Sequence, residues 1–206
     1  MLKAVDHRLP VCREGKFRVP WHSLSLAAVA LIAYMALGPA PEAWIYDRVA
    51  IGGGEVWRLV TGHWVHTDPW HALWNIAALL LLGLLFERRL QSLLLMSLIV
   101  GTIAVDAWLW WGDTSLAYYC GLSGILNSLL IVGLVRFWQD YRHPLVLLIV
   151  LMAVTKIATE LIIGQGLFTH TAWPSVPAVH AVGFVGGLVL MLFLQVRSNL
   201  VTHAYL

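Results

Sequence analysis

Two polar residues in otherwise apolar runs are the best candidates for chemistry in this sequence. Ser123 stands in the run GLSG at residues 121–124, where a serine packs poorly but is well placed as a nucleophile. His180 stands in another apolar run, and an ionisable group there is costly and by default indicates function. We predict that the His180 imidazole is the general base for the Ser123 hydroxyl and later the general acid for the leaving group. No carboxylate is predicted to complete a triad.

Acyl transfer also requires hydrogen-bond donors for the oxyanion that develops. His71 and Asn75 lie four residues apart and so share one face of a helix. Together with the backbone amide of Ser123 at a helix N-terminus, they are candidates for these donors. The alternative is a metal site formed by His63, His66 and His71, but their spacing matches no standard zinc signature and no cysteine or paired carboxylate joins them. We therefore predict no metal and no other cofactor.

The elements that position these residues are predicted to be membrane-spanning helices. Of the 206 residues, 60% are hydrophobic and 12% are charged, which indicates an integral membrane protein rather than a soluble domain. A single chain crosses lipid as helices unless it closes a barrel. The predicted fold is an all-α membrane domain at residues 21–197, between an N-terminal arm at 1–20 and a tail at 198–206. Its six helices are predicted at Trp21–Leu37, Pro69–Phe86, Leu93–Trp111, Gly121–Val135, Leu145–Ile163 and Pro177–Val196.

The distribution of basic residues orients these helices. Arginines or lysines occupy the N-terminal arm, the connections after the second and fourth helices, and the end of the sixth helix, including Arg18, Arg88, Arg89, Arg136, Arg142 and Arg197. The positive-inside rule then predicts that both termini are cytoplasmic. The long first loop, the loop before GLSG and the loop around Trp173 consequently face outward.

Helix rise gives a test of whether the polar residues lie at similar depths. At about 1.5 Å per residue, Ser123 lies roughly 20 Å above Arg136, and Asn75 lies roughly 20 Å above Arg88. His71 and His180 lie about one helical turn nearer the outside. These depths are compatible with a site of Ser, His, His and Asn below the outer surface.

Small residues beside these positions predict which helices meet. Gly183 and Gly187 form a smooth face, and the proposed partner is the helix that begins at GLSG, with Gly124 and Ser128 on its small side. The glycines at 121 and 124 are equally compatible with simple close packing of two helices, so packing and nucleophile interpretations of GLSG remain alternatives.

Lys156 and Glu160 have the i, i+4 spacing of residues that face each other on a helix. In an apolar segment such a pair is expected to point into the bundle. Two interpretations remain open. The pair is a structural ion pair, or Glu160 lies near the level of Ser123, where it contacts the substrate or positions an acceptor that replaces water.

Five motifs from Trp57 onward carry a resemblance to a known family. They are Trp57 with Arg58, HxxxxHxxxN at His66, His71 and Asn75, GxxxE from Gly83 to Glu87, GLSG at Gly121 to Gly124, and HxxGxxxG at His180, Gly183 and Gly187. Together they resemble the rhomboid family of intramembrane serine proteases. The resemblance implies a six-helix rhomboid core with Ser123 as nucleophile, His180 as base, His71 and Asn75 in the oxyanion hole, and His66 as a supporting residue near the active-site mouth.

Within that family the chain is most similar to the rhombosortases, a short bacterial branch. This narrower resemblance is carried by residues 57–62 and 119–124 and by Lys156 with Glu160. It implies an enzyme of the bacterial inner membrane whose site opens to the periplasm. Its partners would be single-pass membrane proteins with a C-terminal tail of a Gly-Gly motif, one transmembrane helix and a basic end. The resemblance implies that the enzyme removes this tail. Transfer of the newly formed C-terminus to a small acceptor, in place of hydrolysis, would use the same acyl-enzyme chemistry. No nucleic-acid partner is predicted.

One position departs from the family pattern. Asn127 stands where rhomboid proteases commonly carry an aromatic residue that stacks on the catalytic histidine. We therefore expect a hydrogen bond to hold the serine–histidine pair instead. Two alternatives remain: a rhomboid protease with broader substrates, and a catalytically inactive rhomboid-like protein that binds membrane helices. Retention of both Ser123 and His180 argues against the second.

Overall fold

The computed structural model describes residues 19–90, 92–167 and 171–204. Most of the predicted N-terminal arm therefore lies outside the described residues. In chain order the elements are α1 (Trp21–Leu37), β1 (Tyr46–Asp47), α2 (Arg48–Gly52), α3 (Arg58–Thr61), α4 (Pro69–Leu90), α5 (Ser92–Ala107), a π-helical turn (Trp108–Gly112), β2 (Tyr118–Tyr119), α6 (Ser123–Tyr141), α7 (Pro144–Ile163) and α8 (Pro177–Ala204).

Each of the six predicted apolar segments forms a helix. Four stretches, Pro69–Leu90, Ser92–Gly112, Pro144–Ile163 and Pro177–Ser198, are long and apolar enough to cross a membrane by length and composition. Helix α1 has 17 residues and is shorter, and α6 carries Arg136 and Asp140. Several helices also continue past the predicted apolar segments: α6 extends to Tyr141, and α8 enters the predicted tail. Basic residues are favourable near a helix C-terminus, so a helix can extend beyond its apolar part.

Helix α6 lies at the centre of the bundle and packs on α4, α5, α7 and most extensively on α8. Small residues permit the closest contact. A Cβ atom added to Gly183 would overlap the carbonyl oxygen of Gly124, and one added to Gly187 would lie 2.6 Å from the carbonyl oxygen of Ser128. The predicted small-residue contact between these two helices is therefore confirmed.

The long first loop is an ordered structure built around a buried arginine. Arg58 is 6% exposed, and its guanidinium donates to the carbonyl oxygens of Glu42 and Ile45 and pairs with Glu55. Strand β1 pairs antiparallel with β2, with Tyr46 opposite Tyr119. This pairing connects the first loop to the segment that leads into α6.

The GxxxE motif at the end of α4 caps another helix. The Glu87 carboxylate accepts hydrogen bonds from the backbone N–H groups of His22 (2.9 Å) and Ser23 (2.8 Å), which lie in the first turn of α1. Gly83 allows Ser23 to approach, because a Cβ atom there would overlap the serine side chain. A carboxylate at a helix N-terminus satisfies backbone donors that otherwise lack partners. The motif therefore attaches α1 to the bundle.

Candidate active site

Ser123 is the first residue of α6 and follows a turn that requires glycine. Gly121 has φ of 120°, which L side chains rarely adopt. Its N–H donates to the Gly62 carbonyl oxygen (3.0 Å), and its own carbonyl oxygen accepts from the Tyr119 hydroxyl (2.9 Å). A Cβ atom at Gly121 would lie only 2.5 Å from His71 Nε2. The turn thus brings the start of α6 against α4.

Ser123 and His180 meet across the α6–α8 contact. The Ser123 Oγ atom lies 2.9 Å from His180 Nε2, within the distance that proton transfer to a general base requires. His180 is 8% exposed. The predicted contact between the two residues is confirmed, and its catalytic role remains a prediction at this point.

The other side of the His180 ring contacts a carboxylate. His180 Nδ1 lies 2.8 Å from Glu160 Oε2 on α7, and Glu160 is 1% exposed. The expectation that no carboxylate is in position to complete a triad is therefore wrong. The rotation of α7 about its own axis turns Glu160 towards α8, and the sequence spacing alone does not specify that rotation.

The second oxygen of the same carboxylate has two donors. Glu160 Oε1 accepts from Lys156 Nζ at 2.6 Å and from the backbone N–H of Leu167 at 3.0 Å. The predicted contact between Lys156 and Glu160 is confirmed. The Lys156 side chain is 36% exposed and lines the cavity described below.

His71 and Asn75 lie on α4 and line the same cavity as Ser123 and His180. His71 Nδ1 lies 3.0 Å from the Thr67 hydroxyl oxygen and 3.4 Å from the Thr67 backbone nitrogen, and Nε2 is the ring atom beside Gly121. The Asn75 amide nitrogen donates to the His71 carbonyl oxygen at 2.9 Å, and a second N–H remains on that nitrogen. Asn75 therefore carries a donor at the wall of the site, as an oxyanion hole requires, and His71 lines the same wall.

A cavity of about 370 Å³ joins these groups. It is bounded by α4, α6, α7, the start of α8 and the segment between α7 and α8, which contributes Trp173, Pro174, Ser175 and Val176. Mostly apolar walls with a few convergent polar groups are typical of a binding or active site. The predicted site residues on its surface are His71, Asn75, Ser123, Asn127, Lys156, Glu160 and His180.

Asp68 connects the segment between α7 and α8, called the α7–α8 segment below, to α4. Its Oδ1 atom accepts from the His71 N–H (2.9 Å), as expected of an N-cap, and its Oδ2 atom accepts from the Ala172 N–H (2.8 Å) and the Thr67 hydroxyl (2.8 Å). Burial opposes ionisation of Asp68, but these donors prevail and hold its pKa below the usual value. Asp68 thus stays charged and attaches the α7–α8 segment to the helix that carries His71. In the sequence, Asp68 directly before Pro69 is a local signal for the cap, whereas no local signal indicates the contact with Ala172.

Two further predicted residues have different surroundings. His66 is 0% exposed and packs edge-on against His71, with ring centroids 5.0 Å apart. It contacts a residue that lines the cavity, and its supporting role near the active-site mouth remains a prediction. Burial lowers the pKa of His66 to about 3, so its ring is neutral. Asn127 lies on the cavity wall and donates to the Ser123 carbonyl oxygen at 2.8 Å. The His180 ring is held by its hydrogen bond to Glu160 Oε2, not by Asn127.

Of the three histidines that suggested a metal site, His66 packs against His71, whereas His63 Nε2 lies 3.0 Å from Asp106 Oδ1. Within residues 19–90, 92–167 and 171–204, no group of three or more His, Cys, Asp or Glu side chains is arranged to hold a metal ion.

Comparison with known proteins identifies one family. A family model described as the Rhomboid domain matches residues 53–197, which include every candidate residue of the site. No match was found among curated proteins.

Proposed function

This chain belongs to the rhomboid family, and on that premise we propose that it is an active intramembrane serine protease. Ser123 is the nucleophile and His180 the general base and acid. His71, Asn75 and the Ser123 backbone amide stabilise the oxyanion. The substrates are membrane proteins that enter the site from the lipid bilayer.

The observation that carries this proposal is the Ser123 Oγ–His180 Nε2 contact of 2.9 Å on the wall of a cavity between apolar helices. Serine is a weak nucleophile unless an adjacent base accepts its proton. The donors of α4 lie on the same cavity, where removal of one such donor typically slows acyl transfer about 100- to 1,000-fold. Family members that lack activity exist, and the presence of both reacting groups in contact favours activity here.

Membrane orientation follows from the charge distribution. In the proposed topology all six long helices cross the bilayer, both termini are cytoplasmic, and the cavity opens to the periplasm of a bacterial inner membrane. The basic residues near the C-terminal ends of α4, α6 and α8, Arg88, Arg89, Arg136 and Arg197, lie at one end of the bundle in this arrangement.

The narrower part of the proposal concerns the substrate. By its resemblance to rhombosortases, the enzyme removes a C-terminal tail of a Gly-Gly motif, one transmembrane helix and a basic end from single-pass proteins. The acyl-enzyme is then resolved by water or by the amine of a small acceptor. The cavity is mostly apolar, which suits a helix that unwinds near small residues.

A co-expressed reporter that ends in this tail tests both parts. We expect cleavage by the native chain and none by Ser123→Ala or His180→Ala, with Ser25→Ala as a matched control because Ser25 is an exposed serine of α1. The mass of the new C-terminus separates hydrolysis from transfer. Cleavage of a Gly-Gly-free rhomboid substrate alone would support a rhomboid protease with broader substrates. No cleavage of either reporter by folded, membrane-inserted protein would favour the inactive helix-binding function.

A further inference from the structure

We infer that Glu160 is the positioning residue of the active site, so that Ser123, His180 and Glu160 form a triad in which Glu160 orients His180 and is itself held in place by Lys156 and the α7–α8 segment. This inference rests on the proposed function and extends it. The sequence left Glu160 as an ion-pair partner or a substrate contact. In the structure the Glu160 carboxylate is hydrogen-bonded to His180, the proposed base for Ser123.

The two carboxylate oxygens have separate partners. Oε2 lies 2.8 Å from His180 Nδ1, whereas Oε1 receives Lys156 Nζ at 2.6 Å and the Leu167 N–H at 3.0 Å. Glu160 is 1% exposed. A buried carboxylate is held in the charged form by charged partners and by hydrogen bonds. Lys156 supplies a charged partner, whereas the Leu167 N–H and His180 Nδ1 supply hydrogen bonds that do not depend on Lys156.

This arrangement selects the reactive tautomer of His180. A carboxylate oxygen can only accept, so Nδ1 must carry the ring proton and donate it to Oε2. Nε2 then has the lone pair that faces the Ser123 hydroxyl at 2.9 Å. The opposite tautomer would place a proton on Nε2, and that nitrogen would be unable to accept the serine proton.

The proton movements balance without another reactant. As Ser123 Oγ bonds to the scissile carbonyl carbon, its proton moves to His180 Nε2, and Glu160 stabilises the imidazolium without becoming protonated. The imidazolium then gives that proton to the nitrogen of the departing chain as the C–N bond breaks. His180, again neutral, takes a proton from the water or amine that attacks the acyl-enzyme, and returns it to Ser123 Oγ as the ester C–O bond breaks.

The α7–α8 segment also supports this carboxylate. Leu167 lies four residues after the end of α7 and binds Oε1 through its backbone. Close by, the Gly166 N–H donates to the Ser175 hydroxyl, and Ser175 borders the cavity. The segment that covers the site therefore contacts the group that orients His180.

Glu160→Gln separates positioning from a merely structural ion pair. A glutamine that turns its N–H group to His180 Nδ1 stabilises the wrong tautomer. A glutamine that turns its oxygen to Nδ1 presents its N–H group to Lys156 and Leu167, which are donors themselves. Either orientation disrupts one side of the arrangement. Lys156→Met is the matched variant, because it also breaks the ion pair but leaves a carboxylate on His180.

The experiment measures kcat and KM for reporter cleavage in liposomes, with thermal unfolding as the folding control. We expect Glu160→Gln to lower kcat about 10³- to 10⁴-fold with KM unchanged, by analogy with loss of the acidic residue in soluble triads. Lys156→Met should lower kcat far less at a similar loss of melting temperature. Equal losses in the two variants, or a loss below about tenfold in Glu160→Gln, would overturn the inference.

A spectroscopic measurement reports the tautomer directly. Nitrogen-15 NMR of ring-labelled histidine should show His180 protonated at Nδ1 in the native protein, with His180→Ala used for assignment. A native His180 ring that is protonated at Nε2 instead would also overturn the inference. If Glu160→Gln does not fold, Glu160→Asp keeps the charge on a shorter side chain and should show an intermediate kcat with KM unchanged; native kcat would contradict the positioning role.

Failure of this inference is distinguishable from failure of the proposed function. If Ser123→Ala and His180→Ala abolish cleavage while Glu160→Gln does not, the protease proposal stands and the positioning role fails. If Ser123→Ala leaves cleavage intact, the protease mechanism itself fails.

Discussion

Replacement of Gly183 with alanine should separate Ser123 from His180 without changing either residue. Gly183 lies one helical turn after His180 and contacts the Gly124 carbonyl oxygen. A Cβ atom added there would overlap that oxygen, so α8 must move away from α6. The reacting groups stand on the same two helices and must move apart with them.

The size of this movement can be bounded from the neighbouring contact. A Cβ atom at Gly187 would lie 2.6 Å from the Ser128 oxygen, about 0.7 Å closer than the ~3.3 Å at which carbon and oxygen normally meet. The overlap at Gly183 is larger, so a shift of at least about 0.7 Å would stretch the 2.9 Å Ser123–His180 contact to about 3.6 Å. Proton transfer requires about 2.6 to 3.2 Å.

We therefore expect Gly183→Ala to lower kcat about 10²-fold, as a displacement near 1 Å does in other active sites. Overpacking should also destabilise the fold by about 1–3 kcal/mol. Reporter cleavage in liposomes measures the first effect, and thermal unfolding measures the second. Val185→Ala is the control, because Val185 is 55% exposed on the same helix. Native kcat and melting temperature in Gly183→Ala would refute the packing argument.

Three other substitutions test the parts that hold the site together. Arg58→Ala leaves the carbonyl oxygens of Glu42 and Ile45 without this donor and should cost about 2–4 kcal/mol in the free energy of unfolding, measured by thermal melting. Glu87→Ala removes the cap of α1 at Ser23 and should cost about 1–2 kcal/mol by the same measurement. Asp68→Asn weakens the bond to the Ala172 N–H and should speed hydrogen exchange in that peptide about tenfold. Because the pKa of Asp68 is lowered in the folded protein, its contribution is present above the unfolded value of 3.8 and is lost as the pH falls through the folded value.

Each of these expectations has a contradicting result. An unchanged melting temperature in Arg58→Ala would mean that the first loop is held by other contacts, and the same result in Glu87→Ala would mean that α1 does not depend on its cap. Equal exchange in Asp68→Asn and the native protein would remove Asp68 as the attachment of the α7–α8 segment. So would protection of the Ala172 N–H, measured relative to its intrinsic exchange rate, that stays constant as the pH falls below the ordinary range of aspartate.

The helices were predictable because a long apolar run that crosses a membrane must satisfy its backbone hydrogen bonds internally, and a helix does so. The start of α4 was also predictable, since Asp68 followed by Pro69 is a strong local signal. The helix ends were not. Arginines and polar residues continue α4, α6 and α8 beyond the apolar part, and a π-helical turn continues α5 through Gly112.

The contact between Ser123 and His180 was predictable from polar residues in apolar runs beside small residues. The contact of Glu160 with His180 was not, because the i, i+4 spacing of Glu160 to Lys156 already supplies a complete partner. Which direction the pair faces depends on the rotation of α7, and packing sets that rotation. The contact of Asp68 with Ala172 joins residues more than a hundred positions apart, and no local signal predicts such a contact.

The most direct test of the account is covalent labelling of the nucleophile. A fluorophosphonate added to the folded protein in liposomes should phosphonylate a single residue, Ser123, as identified by peptide mass spectrometry. The adduct should be absent in Ser123→Ala and strongly reduced in His180→Ala, because the hydroxyl reacts only when a base accepts its proton. An adduct at another residue, no adduct in folded native protein, or undiminished labelling in His180→Ala would contradict the assignment of Ser123 as a nucleophile activated by His180.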